Sequence, residues 1–480
     1  MKKLLTLALL FVALASFGQT GYEIKVTLKP FTNQYIFLAH YSGKQFPIVD
    51  SAKLNASSQA VFKGTKKLGG GIYLIVYPAK NNYFEVLVDK QQRFSVIADT
   101  ATIRTRKTFV NSPDNDLFTD YQDYMGARGR ELDGYRKSLA AAKNHTDSAH
   151  WNQEIRQVDS LITGYRKGMI EKHPNSILTT LLHLMQEPVI PPAEKHPGGK
   201  YDSVFAYNYY KSHYWDHINF WDDRITRTPA SLFDERLDKY FNTLVIPNPD
   251  SVKKELDWML GYAAISDEMT RYLLVKFVNR YLQPKYMWDD EVFVFLFDKY
   301  FNQKNYSWLN AQGKKTITDR YYSVVQNLLG SPAENIALPD SSGKMKSLYD
   351  ESGKFTIVCF WDPTCSHCQE TLPVIDSIYQ AKWKALDVRI YAVAKETSGT
   401  RADWTSFMKK HGLHGWTHVY YSKADEKARV DANIPGYSQL YDVQTLPTVY
   451  LLDKDKKIIA KKLTWQQADD IMQLKLKNAQ

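Results

Sequence analysis

Between residues 22 and 103 apolar positions come in short bursts. Tyr22-Glu23-Ile24-Lys25-Val26-Thr27-Leu28 alternates with a period of two, and 34–39, 71–77 and 83–88 are further short alternating or apolar runs. That is the pattern of strands with one or both faces buried. Gly69-Gly70-Gly71, Asn81-Asn82 and Asp89-Lys90 punctuate them as turns. A small antiparallel β-sandwich over 19–105 is expected. Beyond Asn111-Ser112-Pro113-Asp114, where Ser112 or Asp114 is a candidate helix cap, the apolar period lengthens to about 3.6 residues. Amphipathic stretches follow at 117–144, 151–172, 177–185, 231–244, 251–262, 268–282, 289–302 and 316–329, interrupted by a Pro/Gly-rich loop at 188–199. The segment 111–329 therefore reads as all-α.

Gly330-Ser331-Pro332-Ala333 reads as a linker. After it, apolar runs at 356–361, 388–393, 418–421 and 449–452 alternate with helical patterns from Cys365 onward, at 401–411 and at 465–476. Strands alternating with helices make 331–480 an α/β domain. No repeat of fixed period and no low-complexity tract is present.

At the amino terminus, Met1-Lys2-Lys3 precedes an apolar run from Leu4 to Ala15, followed by the small residues Ser16 and Gly18. A basic start, a short apolar run and small residues form a secretory leader over 1–18, too short to make a comfortable membrane anchor. No cysteine near the cleavage point offers a lipid attachment site. An exported chain in the periplasm or cell envelope, with no transmembrane segment after cleavage, is expected. Removal of Lys2 and Lys3 takes the formal charge from +10 to +8. Acids and bases are interleaved, so nothing here points to nucleic acid.

The 480 residues hold only three cysteines, Cys359, Cys365 and Cys368, all within ten positions. A secreted protein stapled by disulfides would carry more, spread along its length. These three instead point to local chemistry. Cys365 and Cys368 follow an apolar strand and open a helix, where one turn brings two sulfurs into bonding range. Helix N-terminal N–H groups favour thiolate over thiol at the first cysteine. Cys365 is the expected nucleophile and Cys368 the resolving thiol of a mixed disulfide. His367, between them, is a candidate to stabilise the thiolate, against the plainer reading of an exposed spacer. No second Cys-x-x-Cys or His-x-x-x-His follows at the downstream spacing that would supply the rest of a zinc site, and a bridge across three residues would be a poor staple. Cys359, inside the strand, reads as a small buried hydrophobe. A metal is not expected, and the working group is the redox-active disulfide of Cys365 and Cys368, with no further cofactor.

The run Phe360-Trp361-Asp362-Pro363-Thr364-Cys365-Ser366-His367-Cys368-Gln369-Glu370-Thr371-Leu372-Pro373, followed by Leu446-Pro447-Thr448, resembles the TlpA/ResA-type thioredoxin-like proteins. The resemblance covers about residues 331–480. It implies a thioredoxin fold and thiol-disulfide oxidoreductase activity, with a cis Pro447 facing the redox pair. It also implies that Leu446, Pro447 and Trp361 contact an extended substrate segment. Thr364 stands where many relatives carry Trp, and Thr371 where many carry the Glu that relays protons. Glu370 is adjacent but turned by about 100° on a helix; Glu396, in a later loop, is the other candidate relay acid. The peroxidase reading is disfavoured, since Pro363-Thr364-Cys365 does not give the Pro-x-x-x-Thr-x-x-Cys spacing.

Residues 20–330 resemble, more weakly, the β-domain and helical middle domain that precede thioredoxin modules in secreted Bacteroidota proteins. His213 and His217 would share a helix face there, but with no third ligand, packing is the better reading. Expected partners are protein disulfides or dithiols and an envelope reductant or oxidant that recycles the pair. The competing reading is an envelope binding or assembly protein whose β and helical domains recognise a partner, with the redox domain accessory.

Overall fold

A computed structural model describes residues 21–103, 107–302 and 304–478, so the expected leader lies outside the described residues. The chain forms two compact units. One comprises the described residues up to Ile246 together with Glu255–Leu273; the other comprises Pro247–Lys254 and the chain from Leu274 onward.

The first unit begins with eight strands: β1 (Tyr22–Lys29), β2 (Tyr35–His40), β3 (Ile48–Lys53), β4 (Gln59–Gly64), β5 (Gly71–Val76), β6 (Tyr83–Val88), β7 (Arg93–Asp99) and β8 (Lys107–Val110). They form two four-stranded sheets, ordered β4-β1-β7-β8 and β3-β2-β5-β6. Ile24, Val26 and Phe94 from one and Ile36, Tyr73 and Ile75 from the other share a single core. The sandwich is not purely antiparallel as expected, because β1 and β7 run parallel from Glu23 opposite Arg93 to Lys29 opposite Asp99. Period-two alternation reports which face is buried, not strand direction, so the pattern could not carry this.

β5 is apolar throughout because both its faces are covered. Tyr73 and Ile75 enter the shared core, whereas Ile72 and Leu74 pack against Phe118, Ile177 and Leu181 from the helices Pro113–Ala141 and Ile177–Met185. Asn115 pins the first of these helices to β6. Its amide accepts from Leu87 N–H at 2.7 Å and donates to Leu87 C=O at 2.8 Å. Ser112 occupies the N-cap position but makes no side-chain cap bond, since its hydroxyl accepts from Asn115.

In the second unit, β11 (Phe355–Trp361) is the central strand of a five-stranded sheet. Parallel partners β12 (Val388–Lys395) and β13 (Thr417–Tyr421) lie on one side, and antiparallel β14 (Thr448–Asp453) and β15 (Ile458–Lys461) on the other. All seven residues of β11 are buried, as befits a strand covered on both faces. The helices Ser366–Ile378, Arg401–His411 and Trp465–Asn478 contribute to one core layer; Tyr437–Leu440 contributes to the other. This is the thioredoxin-like α/β fold. The pattern had not revealed the hairpin β9 (Ala337–Pro339) and β10 (Met345–Ser347), β15, or the helices Lys423–Asp431 and Tyr437–Leu440. The strands of that hairpin have three residues each, too few for a period, and β15 lies in a lysine-rich stretch. Among the described residues no helix is long and apolar enough to cross a membrane.

Candidate active site

β11 ends at Trp361, and the chain then turns through Asp362, Pro363 and Thr364 into the helix Ser366–Ile378. Cys365 is the N-cap residue of that helix and is partly exposed; its carbonyl accepts from Gln369 N–H at 3.0 Å. Cys368 faces inward and is fully buried. Burial pushes the Cys368 thiol well above its ordinary value and the neighbouring Cys365 adds to this, against a hydrogen bond from the Asp362 backbone. The pair is therefore asymmetric. One sulfur meets solvent at a helix N-terminus, where incipient negative charge is favoured, and the other is held as a neutral thiol. Cys359 packs in the same core layer, fully buried, its thiol pushed up to about 12 by burial alone.

On the opposite wall, the Leu446–Pro447 peptide is cis. Cys365 Sγ donates to the Leu446 carbonyl at 3.6 Å, within reach of a weak sulfur hydrogen bond. Leu446, at the head of the cis peptide, thus stands against the Cys365 sulfur. His367 is exposed on the first turn of the helix. Glu370 is exposed two residues beyond Cys368, about 200° around the helix and so on the far side from that buried thiol. Glu396 is engaged elsewhere: its Oε2 accepts from Lys423 N–H at 3.1 Å, at the start of the helix Lys423–Asp431. Neither carboxylate is placed to exchange a proton with Cys368 directly. Trp361 is a correction as well, because its ring is wholly buried, 5.2 Å from Phe407, and offers substrate no surface.

The residue that pattern reading missed is Asp362, which is 1% exposed. Its Oδ1 accepts from Thr364 N–H at 2.7 Å and Thr364 Oγ1 at 2.6 Å. Its Oδ2 accepts from the N–H groups of Thr397 (3.1 Å), Ser398 (3.0 Å) and Gly399 (3.1 Å), and from Thr397 Oγ1. Burial pushes its pKa up, but bonds from Thr364, Thr397 and the Thr364 and Gly399 backbone outweigh it and hold the carboxyl well below the usual carboxylate range. Asp362 thereby joins the loop after β12 to the turn that carries Cys365. Gly399 is required by this closeness: a Cβ there would sit 2.6 Å from Pro363 Cγ and 2.9 Å from Asp362 Oδ1. The available signal was a charged residue directly after an unbroken apolar strand, which must find buried donors.

His213 and His217 do not share a helix face. The helix Ser203–Ser212 stops before them, and His217 has a positive φ of 63°. His213 stacks on Tyr209 at 3.9 Å, whereas His217 stacks on His183 at 4.9 Å.

Residues 329–461 match the AhpC/TSA family, and residues 171–327 match a domain of unknown function (DUF5106). A thiol-disulfide oxidoreductase ResA of Bacillus cereus is 30% identical over 133 residues, which is 28% of this chain and 68% of its own length. The ResA of Bacillus subtilis is 30% identical over 131 residues, 27% of this chain and 64% of its own length. Among solved structures, a thioredoxin-like protein from Bacteroides caccae aligns over 60% of this chain and 98% of its own, at 19% identity and a TM-score of 0.43. With the sulfur pair and the five-stranded sheet in view, the Bacillus cereus relative shows that the chain belongs to the ResA family of thiol-disulfide oxidoreductases.

Proposed function

We propose that this protein is an exported enzyme of the periplasm or cell envelope that reduces or isomerises protein disulfides, with Cys365 as nucleophile and Cys368 as resolving thiol. The observation that carries this reading is the asymmetry of the pair: a partly exposed sulfur at a helix N-cap, 3.6 Å from the Leu446 carbonyl, with a fully buried thiol one turn behind. The Cys365 thiolate attacks one sulfur of a substrate disulfide, and the other leaves as a thiolate that takes up a proton. Cys368 then gives up its proton and attacks Cys365 Sγ. This releases the second substrate thiol and leaves a Cys365–Cys368 disulfide. Two electrons and two protons have passed to the substrate, and an envelope reductant must return them; in isomerisation the substrate itself returns them. Leu446 and Pro447 are the surface for an extended substrate segment, and His367 stabilises the Cys365 thiolate. Water has to carry the proton from Cys368, since Glu370 and Glu396 point elsewhere.

The test is the equilibrium potential of the pair in the purified mature chain, alongside insulin reduction and a Cys365→Ser control. A potential near about −270 mV, with turnover abolished in the variant, is expected of a reductase. A value between about −180 and −120 mV would make it an isomerase or oxidase. Failure of the pair to cycle between dithiol and disulfide would sink the reading.

A further inference from the structure

The run that presents Leu446 to Cys365 is held from outside the thioredoxin-like fold. Residues 440–447 lead from the short helix Tyr437–Leu440 to the cis peptide. The Leu440 carbonyl accepts from Asn327 Nδ2 at 2.9 Å. Two residues on, Asp442 has a positive φ of 43° and is 3% exposed. Its Oδ1 accepts from Gln444 Nε2 at 2.8 Å, and its Oδ2 accepts from Arg320 Nη1 at 2.6 Å and from Lys462 Nζ at 2.5 Å.

Arg320 lies on the helix Ala311–Val324, and its other arm donates to Asp290 Oδ1 at 2.5 Å, on the helix Asp289–Leu296. Lys461 Nζ reaches Asp290 Oδ2 at 2.7 Å and the Asn327 carbonyl at 2.8 Å. Arg320, Asp290, Asp442 and Lys461 are each no more than 8% exposed. Burial pushes the Asp442 carboxyl up, but Lys462 and Arg320 prevail and hold it ionised.

A buried ion network of this kind contributes little to stability that apolar residues of equal volume would not. What it supplies is geometry. The planar fork of a guanidinium fixes two carboxylates at a set separation more tightly than a flexible ammonium does. Here one carboxylate belongs to the helices and the other to the active-site run.

We propose that Arg320 is a positioning residue for the redox site: by fixing Asp442 it holds residues 440–447, and with them the Leu446 carbonyl, against Cys365. The last helices of the segment matched by the domain of unknown function thereby gain a task, which is to set substrate engagement and the dithiol–disulfide balance from outside the sheet. The proposal rests on the dithiol reading above. It has two consequences. The Cys365 S–H bond to Leu446 exists only in the reduced protein, so loosening the run removes a contact specific to that state and favours the disulfide. A substrate strand lying along 446–447 would also meet a less ordered edge, which weakens binding before it affects chemistry.

The experiment uses the mature full-length chain with Arg320→Ala, Arg320→Lys and Cys365→Ser, read by insulin KM and kcat and by the equilibrium constant with glutathione. For Arg320→Ala, KM should rise roughly ten-fold with kcat nearly unchanged. The glutathione equilibrium should shift about three-fold toward the disulfide. Arg320→Lys should recover at least part of both. A folded Arg320→Ala with wild-type KM and wild-type equilibrium, beside an inactive Cys365→Ser, would overturn the proposal and leave the dithiol reading standing. Wild-type protein whose pair never forms a disulfide in glutathione would remove both. If Arg320→Ala does not fold, Lys462→Ala serves, because that side chain is 38% exposed; a KM about two-fold higher would support the clamp, and an unchanged KM would refute it.

Discussion

Two buried acidic centres sit on the segments that meet at Cys365, one on its own turn and one on the run to Leu446, and they solve the same electrostatic problem in opposite ways. Asp362 is ringed by hydroxyls and backbone N–H groups from residues 364 and 397–399, and among the described residues it has no ion pair. Asp290 and Asp442 are neutralised by Arg320, Lys461 and Lys462. Fixed dipoles from two short stretches of loop hold the Asp362 charge, and substitution cannot remove the backbone members of the set. Counter-ions reach across 122 positions of chain, from Arg320 to Asp442, but each is a single side chain and can be lost. The first centre should therefore be robust, and the second brittle.

The sharpest way to break that contrast is Asp290→Leu, which leaves Arg320 and Lys461 without their shared anion. A loss of about 3–5 kcal/mol is expected in urea unfolding. Adding Lys461→Met should recover part of it, and no recovery would mean that the charges do not act as one network.

A third, half-buried polar group, His418, has a single backbone carbonyl and, among the described residues, no counter-ion. One ring nitrogen meets the Leu413 carbonyl at 3.1 Å, and Nδ1 has no partner among the described residues. Burial brings its pKa down from 6.5 to about 4. Between those values the unfolded chain binds more protons than the folded one, so stability is lost as pH falls through that window, by at most about 3 kcal/mol. His418→Gln should flatten the urea midpoint between pH 4 and 6.5.

Asp362→Asn turns an N–H₂ group toward donors, and about 1–3 kcal/mol should be lost. A loss as large as that of Asp290→Leu would erase the distinction between the two centres. Thr364→Val removes one hydroxyl bond and leaves the backbone ones, for about 1 kcal/mol; a larger fall would show that the hydroxyls, not the N–H groups, carry Asp362.

What could be read from the sequence divides by how far along the chain the partners lie. The Cys-x-x-Cys pair, the strand before it and the helix it opens are adjacent in the chain, so period and spacing were enough to identify them. Asp362 was missed because most of its donors arrive 35–37 positions later, and the residue itself looks like the polar end of a strand. Lys461, in a stretch that reads as solvated surface, is 2% exposed because Asp290 waits for it 171 positions earlier. Trp361 was assigned to substrate through the resemblance, yet both faces of β11 are covered and its ring is buried beside Phe407. The parallel pairing of β1 with β7 was invisible for another reason, since both pairing directions have the same side-chain period.

The burial of Cys359 and Cys368 makes the native protein count as a one-thiol molecule. A mass-tagging reagent should add one label quickly, at Cys365, and two more only on denaturation, so the spectrum of adducts doubles as a gauge of intact fold. In a Cys368→Ala background any captured protein must hang from a single known atom. The mass of the complex would then identify the client without mapping the bond.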